Sequence, residues 1–280
     1  MCLYQIYGTR RPSCSKNRGL SDKTIVTYFQ VVKSVLASSV SREGEELYPR
    51  KWNFQFIGLP IVDEKKQVRP TLAATEVEMI LMRSKGRYKV LLALLAGTGL
   101  RIGEALALTV NDFTDDFTTI KVSQSIYGRT IQTPKTPNAI CEIDIPSSLA
   151  ALIRTYVDER RSGYLFESRA GRPLIQRNVL RDALGKVRRD LNLDQNGKGF
   201  HAFRRFRTTH LRKNRVPWDL EKFWLGHANR DVTDKYSERL KDDVEWRKSV
   251  AEQTGLGFDF GLLGLLGLPN PQEKQNEKAA

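Results

Sequence analysis

Apolar positions recur along the chain in two rhythms. Ile25, Phe29, Val32 and Leu36 fall at i, i+4, i+7 and i+11, one face of an amphipathic helix over about residues 22–39. One helix cannot bury its own face, so this stretch belongs to a larger packed unit. The rhythm stops over residues 42–70, where Pro49, Gly58, Pro60, Pro70 and the charged run at 63–66 mark a linker. A second organisation begins at Thr75, which has capping-box spacing to Glu78 just ahead of Met79, Ile80 and Leu81. Residues 87–96 read as a buried helix; Gly97 and Gly99 break it, and a helix restarts over 101–108. Over 117–146 the period approaches two, with a turn at Gly128 and a proline-marked turn ahead of an alternating segment, which reads as strands. Helical spacing returns over 147–161, 175–190, 202–214, 217–225 and 239–252, with a short turn near 231–237. The expected fold class is α+β, mostly helical, with a small antiparallel sheet.

Composition narrows the functional classes. With 40% apolar and 28% charged residues in 280, the chain has a globular make-up, enough for one large domain or two small ones. Lys and Arg number 46 against 32 Asp and Glu, a formal charge of +14. A surplus of that size calls for an anionic partner: nucleic acid first, a membrane surface second. Cysteines at 2, 14 and 141 are too few for a disulfide scaffold, and three histidines without a Cys-x-x-Cys argue against structural zinc. No apolar stretch reaches the length of a membrane span, and the amino terminus has no apolar signal core. A cytoplasmic protein is expected.

Four short segments carry the candidate chemistry. In GTGLRIGE at 97–104, two glycines end one helix and Arg101 sits at the start of the next, where side chain and helix terminus can face one anion. In the basic run 201–215, His201 and Arg204 are three apart and share a helical face; Phe203 and Phe206 read as core contacts, and His210 as a structural or surface residue. Lys135 stands between Pro134 and Pro137 in a strand turn. Gly226 and His227 follow a helix, and Tyr236 lies nine residues beyond that histidine. Each alone has an ordinary structural explanation. Together they supply paired arginines for a phosphodiester's non-bridging oxygens, an acid for a leaving alkoxide and a tyrosine nucleophile. No cofactor is implied, and no carboxylates cluster near these segments to hold Mg²⁺.

In this order the segments resemble the tyrosine site-specific recombinases of the phage-integrase family, over about residues 70–253. The resemblance implies that Arg101 and Arg204 bind the phosphate, Lys135 is the general acid, and His201 pairs with Arg204 in the His-x-x-Arg motif. It further implies that His227 is the Leu-Gly-His histidine and Tyr236 the nucleophile, and Thr233 also fits the pattern. Arg205 and Glu238 stand where histidine is more frequent. The implied organisation is a partial helical DNA-clamping region and linker at 1–66, a catalytic domain at 67–253 and a carboxy-terminal tail at 254–280. The implied activity is cutting and rejoining DNA through a 3′-phosphotyrosine, for integration or excision of mobile DNA, by a homo-tetramer on paired double-stranded sites. Accessory proteins are left open. Because relatives carry a four-helix clamp where one helix is evident here, the alternative is a truncated, non-recombining DNA-binding remnant. Arg177, Arg181, Lys186, Arg188, Arg205 and Arg207 are the expected DNA-backbone contacts. The apolar stretch 255–268 is expected to dock on a neighbouring protomer.

Overall fold

The computed structural model describes residues 19–48, 52, 57–63, 69–132, 140–193, 198–226 and 242–259. The chain divides into two compact units, residues 1–68 and 69–280.

The first unit contains helix α1 (Asp22–Ala37). The Ser21 hydroxyl caps it by accepting the Thr24 N–H at 3.2 Å. Of the predicted apolar face, Ile25 and Phe29 are buried, whereas Val32 is exposed. Phe29 meets the edge of Trp52 with ring centroids 5.4 Å apart.

The second unit is built around one buried helix. α2 (Ala74–Arg83) precedes α3 (Gly86–Thr98), in which every residue from Lys89 to Thr98 is buried. A helix apolar on all sides belongs inside a core, and α2 packs against it. The start of α2 departs from the sequence pattern. It is Glu76, not Glu78, that reaches back to cap, accepting the Ala73 N–H at 2.9 Å, while Lys198 holds its other oxygen at 2.7 Å. The helix starts earlier than the spacing suggests, with Ala73 as N-cap, so Glu76 holds the N3 position from which a side chain can reach back.

Gly97 lies within α3 and does not break it. A Cβ there would come within 2.7 Å of Leu149 and 2.8 Å of Leu256, so the residue is small because two segments press on it. The helix ends at Gly99, whose φ of 74° is the left-handed cap that glycine adopts without a Cβ clash. α4 (Ile102–Ala107) follows.

Among the described residues the strands form two antiparallel pairs. β1 (Thr119–Val122) pairs with β4 (Cys141–Asp144), Thr119 opposite Asp144 and Val122 opposite Cys141. β2 (Ser125–Tyr127) and β3 (Thr130–Gln132) form a hairpin. β4 leads into α5 (Ser147–Val157), which packs on α3.

α6 (Gln176–Val179) continues through a π turn, Leu180–Leu184, into α7 (Gly185–Asp190). α8 (Phe200–Lys213) lies along α3, with Phe203 and Phe206 in the core as the sequence predicts. α9 (Trp218–Trp224) packs against β4, and α10 (Val244–Thr254) closes the described fold. Beyond α10 the chain packs on its own unit: Leu256 and Phe258 are buried, Phe258 against Phe206 at 6.1 Å. The described part of the expected intersubunit segment, through Asp259, is therefore an intramolecular contact. Among the described residues no helix is long and apolar enough to cross a membrane.

Candidate functional site

The turn between α3 and α4 places the first arginine. The Thr98 hydroxyl donates to the Leu94 carbonyl at 2.6 Å and accepts the Leu100 N–H at 3.2 Å, which fixes the chain as it leaves α3. Arg101 is the N-cap of α4. Glu104 holds it at both ends, accepting its backbone N–H at 2.8 Å and its Nη1 at 2.6 Å. The Arg101 side chain still keeps 43% of its surface open to solvent. α4 in turn lies backbone to backbone on β2, because a Cβ at Gly103 would stand 2.6 Å from the Ile126 carbonyl oxygen.

α8 supplies the partners. His201, in its first turn, is exposed, and Arg204 one turn later is half-buried. The Arg204 Nη1 donates to the Gly99 carbonyl at 2.9 Å, and its Nη2 to the Leu225 carbonyl. The second arginine is thereby tied to the turn that presents the first. Burial, and after it the positive charge of Arg101, lowers the Arg204 guanidinium to about 10. It remains cationic at neutral pH. Two cations held in mutual repulsion gain from an anion placed between them.

Beside them, Arg69, Thr71, His201, Arg204, Arg205, Thr208 and Thr209 line an open cavity of roughly 340 Å³. No carboxylate lines it. Arg205 donates its Nε to the Pro70 carbonyl at 2.7 Å and is lowered by burial and then by Arg69. The Thr208 and Thr209 hydroxyls donate to the carbonyls of Arg204 and Arg205, so the cationic groups set the character of the cavity.

Residues 66–242 match the phage integrase family. The chain belongs to that family. It is 29% identical to a XerC-like tyrosine recombinase of Caldanaerobacter subterraneus subsp. tengcongensis, across 58% of this chain and 48% of that one. It is 32% identical to the tyrosine recombinase XerC of Mesorhizobium japonicum, across 54% of this chain and 46% of that one. It thus spans about half the length of these relatives. In fold, it resembles the Tn1549 transposon integrase solved with a circular intermediate DNA: TM-score 0.61, 18% identity, 81% of each chain covered. It also resembles the XerH site-specific recombinase bound to difH substrate: TM-score 0.51, 19% identity, 81% of this chain and 66% of that one.

Of the six residues the integrase pattern singles out, Arg101, His201 and Arg204 are within the described structure, and Gly99 links the two arginines. Lys135, His227 and Tyr236 lie outside the described residues, as does Thr233. The segments leading to them are described. β3 ends at Gln132 and β4 begins at Cys141; α9 ends at Trp224 and α10 begins at Val244. The Cys141 thiol is pushed up to about 12, by burial first and then by Glu104.

The expected DNA-backbone contacts divide. Arg177, Arg181 and Lys186 are exposed, with Arg181 paired to Asp182 at 2.6 Å, and Arg205 lines the cationic cavity. Arg207 and Arg188 are buried, unlike the exposed positions a duplex contact calls for. Arg207 is 2% exposed and donates to the Gly255 carbonyl, so it serves the post-α10 segment and is not presented to a duplex. Arg188 is 7% exposed, beside Val187 and one turn after Leu184. Position 188 lies four residues after Leu184, on the face that Ala183, Leu184 and Val187 bury. His210 is structural: its ring stacks on Phe206 and its Nε2 lies 2.9 Å from the Thr254 carbonyl. Glu104 and Arg69 went unnoticed in the sequence. Glu104 could have been found from its i+3 spacing to Arg101, whereas Arg69 carries no local signal.

Proposed function

We propose that this chain is a site-specific recombinase that cuts and rejoins DNA strands through a 3′-phosphotyrosine. The observation that carries the reading is the link from Arg204 to Gly99, which ties the second guanidinium to the buried turn that presents the solvent-exposed Arg101. Arg101 and Arg204 bind the non-bridging oxygens of the scissile phosphate, with His201 alongside. The Tyr236 oxygen attacks phosphorus, the bond to the 5′-oxygen breaks, and Lys135 protonates that oxygen, leaving a free 5′-hydroxyl. His227 completes the set. Attack by a 5′-hydroxyl of another strand reverses the step and releases the tyrosine. Charge developing on phosphorus is offset by the cationic side chains, so the scheme calls for no metal or other cofactor. Double-stranded DNA is the partner, and a homo-tetramer on paired sites is the working assembly, for integration or excision of mobile DNA.

The test begins with nicked duplexes of randomised sequence, from which covalent protein–DNA adducts are recovered in denaturant and the preferred site is read. The wild-type chain is expected to form an adduct at Tyr236. Tyr236→Phe should abolish it while DNA affinity stays within about twofold, since one hydroxyl contributes little to a backbone-dominated interface. An adduct on another tyrosine, such as Tyr127 or Tyr164, would overturn the assignment.

A further inference from the structure

Away from the phosphate-facing arginines, one carboxylate gathers elements from distant parts of the chain. Asp144, at the end of β4, is fully buried, as is all but 3% of the Arg247 side chain. The Asp144 Oδ1 accepts the Thr119 hydroxyl from β1 at 2.8 Å. Its Oδ2 accepts the indole N–H of Trp224, the last residue of α9, at 2.8 Å. The same oxygen lies 3.1 Å from the Nε of Arg247 on α10. Arg247 also donates its Nη2 to Glu142 on β4 at 2.8 Å and lies over the Phe223 ring of α9 at 4.9 Å.

The placement of these contacts in the sequence is informative. Trp224 stands three residues before His227, and Arg247 eleven after Tyr236. β4 begins at Cys141, six residues after Lys135. Three stretches bearing candidate chemistry therefore lie close in sequence to elements that meet at a single carboxylate. β4 is also in electrostatic reach of the phosphate site, since Cys141 at its head feels Glu104, Arg204 and Arg101.

We propose that Asp144 is a positioning residue for strand cleavage, holding β4, α9 and α10, the described elements that lie next in sequence to the segments bearing Lys135, His227 and Tyr236, in one fixed relation. The inference rests on the strand-transfer reading above. Stability alone does not call for this arrangement. A buried ion pair is a weak stabiliser, and apolar side chains of similar volume do as well or better. What it offers over apolar packing is direction: the two carboxylate oxygens fix the Thr119 hydroxyl and the Trp224 indole N–H in distance and angle, and the charge draws Arg247 to the same point. Transition states are sensitive to such placement, with about 10²-fold lost for a misplacement of ~1 Å.

The experiment uses the full chain and the nicked duplex selected above, in two forms: an ordinary scissile phosphate, and a 5′-bridging phosphorothiolate whose leaving sulfur needs no general acid. Trp224→Phe removes one donor and keeps most of the ring. Arg247→Lys keeps the charge but cannot serve Asp144 and Glu142 together. Single-turnover cleavage is measured per folded molecule, below each variant's melting temperature, alongside DNA affinity. The expected result is a rate lower by roughly 10-fold for Trp224→Phe and about 10²-fold for Arg247→Lys. Affinity should be unchanged, and the phosphorothiolate should not restore the rate. Wild-type rates in variants that merely melt earlier would overturn the proposal and leave Asp144 a stabilising residue. Complete rescue by the phosphorothiolate would confine the effect to Lys135 and overturn the claim for Tyr236. Should Arg247→Lys not fold, Trp224→Phe decides between these results. Absence of any Tyr236 adduct in the wild type is a separate failure, that of the strand-transfer reading itself.

Discussion

The Arg204 guanidinium donates to the carbonyl oxygen of Gly99 at 2.9 Å, across 105 positions of sequence. Since Gly99 caps α3 two residues before Arg101, the two arginines are fixed relative to one another by backbone. An arginine engaged in this way is a strut as well as the proposed ligand for phosphate, and its replacement has two consequences that can be measured separately.

Arg101→Lys and Arg204→Lys should each reduce cleavage by at least ~10²-fold, the scale of removing one donor to a developing charge. Their stabilities should differ. Arg204→Lys loses a fork that spans Gly99 and Leu225 and should cost about 1–3 kcal/mol, whereas exposed Arg101 should cost less. Urea denaturation followed beside covalent trapping would show both, and near-wild-type cleavage by the pair of lysine variants would remove the arginines from the phosphate.

Two glycines of one region should respond differently to alanine. At Gly103 the new Cβ meets the backbone oxygen of Ile126 at 2.6 Å, and α4 must move off β2. At Gly97 it meets the ends of Leu149 and Leu256, which can turn away. Gly103→Ala should therefore cost roughly 1–3 kcal/mol, with Gly97→Ala at the lower end of that overpacking range. Reduced cleavage is also expected for Gly103→Ala, because α4 carries Arg101. Equal shifts in the urea midpoint would contradict this.

Salt dependence should separate exposed from buried arginines. Removing one phosphate contact lowers the slope of log affinity against log salt by about 0.9. Arg177→Gln is expected to do so without loss of stability. Arg207→Met should leave the slope unchanged and lower the melting temperature, since its partner is the Gly255 carbonyl. Binding titrations between 50 and 200 mM salt, about the range over which such slopes are resolved, provide the check.

His210 predicts a pH response. Burial, the largest influence, lowers its pKa from the ordinary 6.5, so the folded state favours the neutral ring. Stability from this group is fully present above the unfolded value of 6.5 and is lost as pH falls from there through the folded value. The melting temperature of the wild type should thus drop more between pH 7.5 and 5.5, two points chosen to lie about one unit either side of the ordinary value, than that of His210→Gln. Parallel curves for the two proteins would exclude His210 as a source of the slope.

The sequence by itself determined what depends on local spacing. Helical periodicity located α3, α8 and α9, the alternation over 117–146 announced strands, and the interval from His201 to Arg204 put both on one face of α8. A net charge of +14 pointed to an anionic partner. Each of these follows from residues a turn or a pleat apart, where geometry is set by the backbone itself. Tertiary structure alone decided which charges face outward and which carboxylates are used. Arg177 and Arg188 share a basic helical stretch, yet only the second is buried; Arg204 and Arg207 are neighbours on α8, yet one lines the cationic cavity and the other closes on Gly255. Asp144 reads in sequence as one polar position in an alternating strand, and becomes a hub only when Trp224 and Arg247 arrive from residues 80 and 103 positions away. The physical reason is common to all three. A charged side chain is stabilised by whichever partner can offset its loss of water, and that partner is supplied by the packing of distant segments.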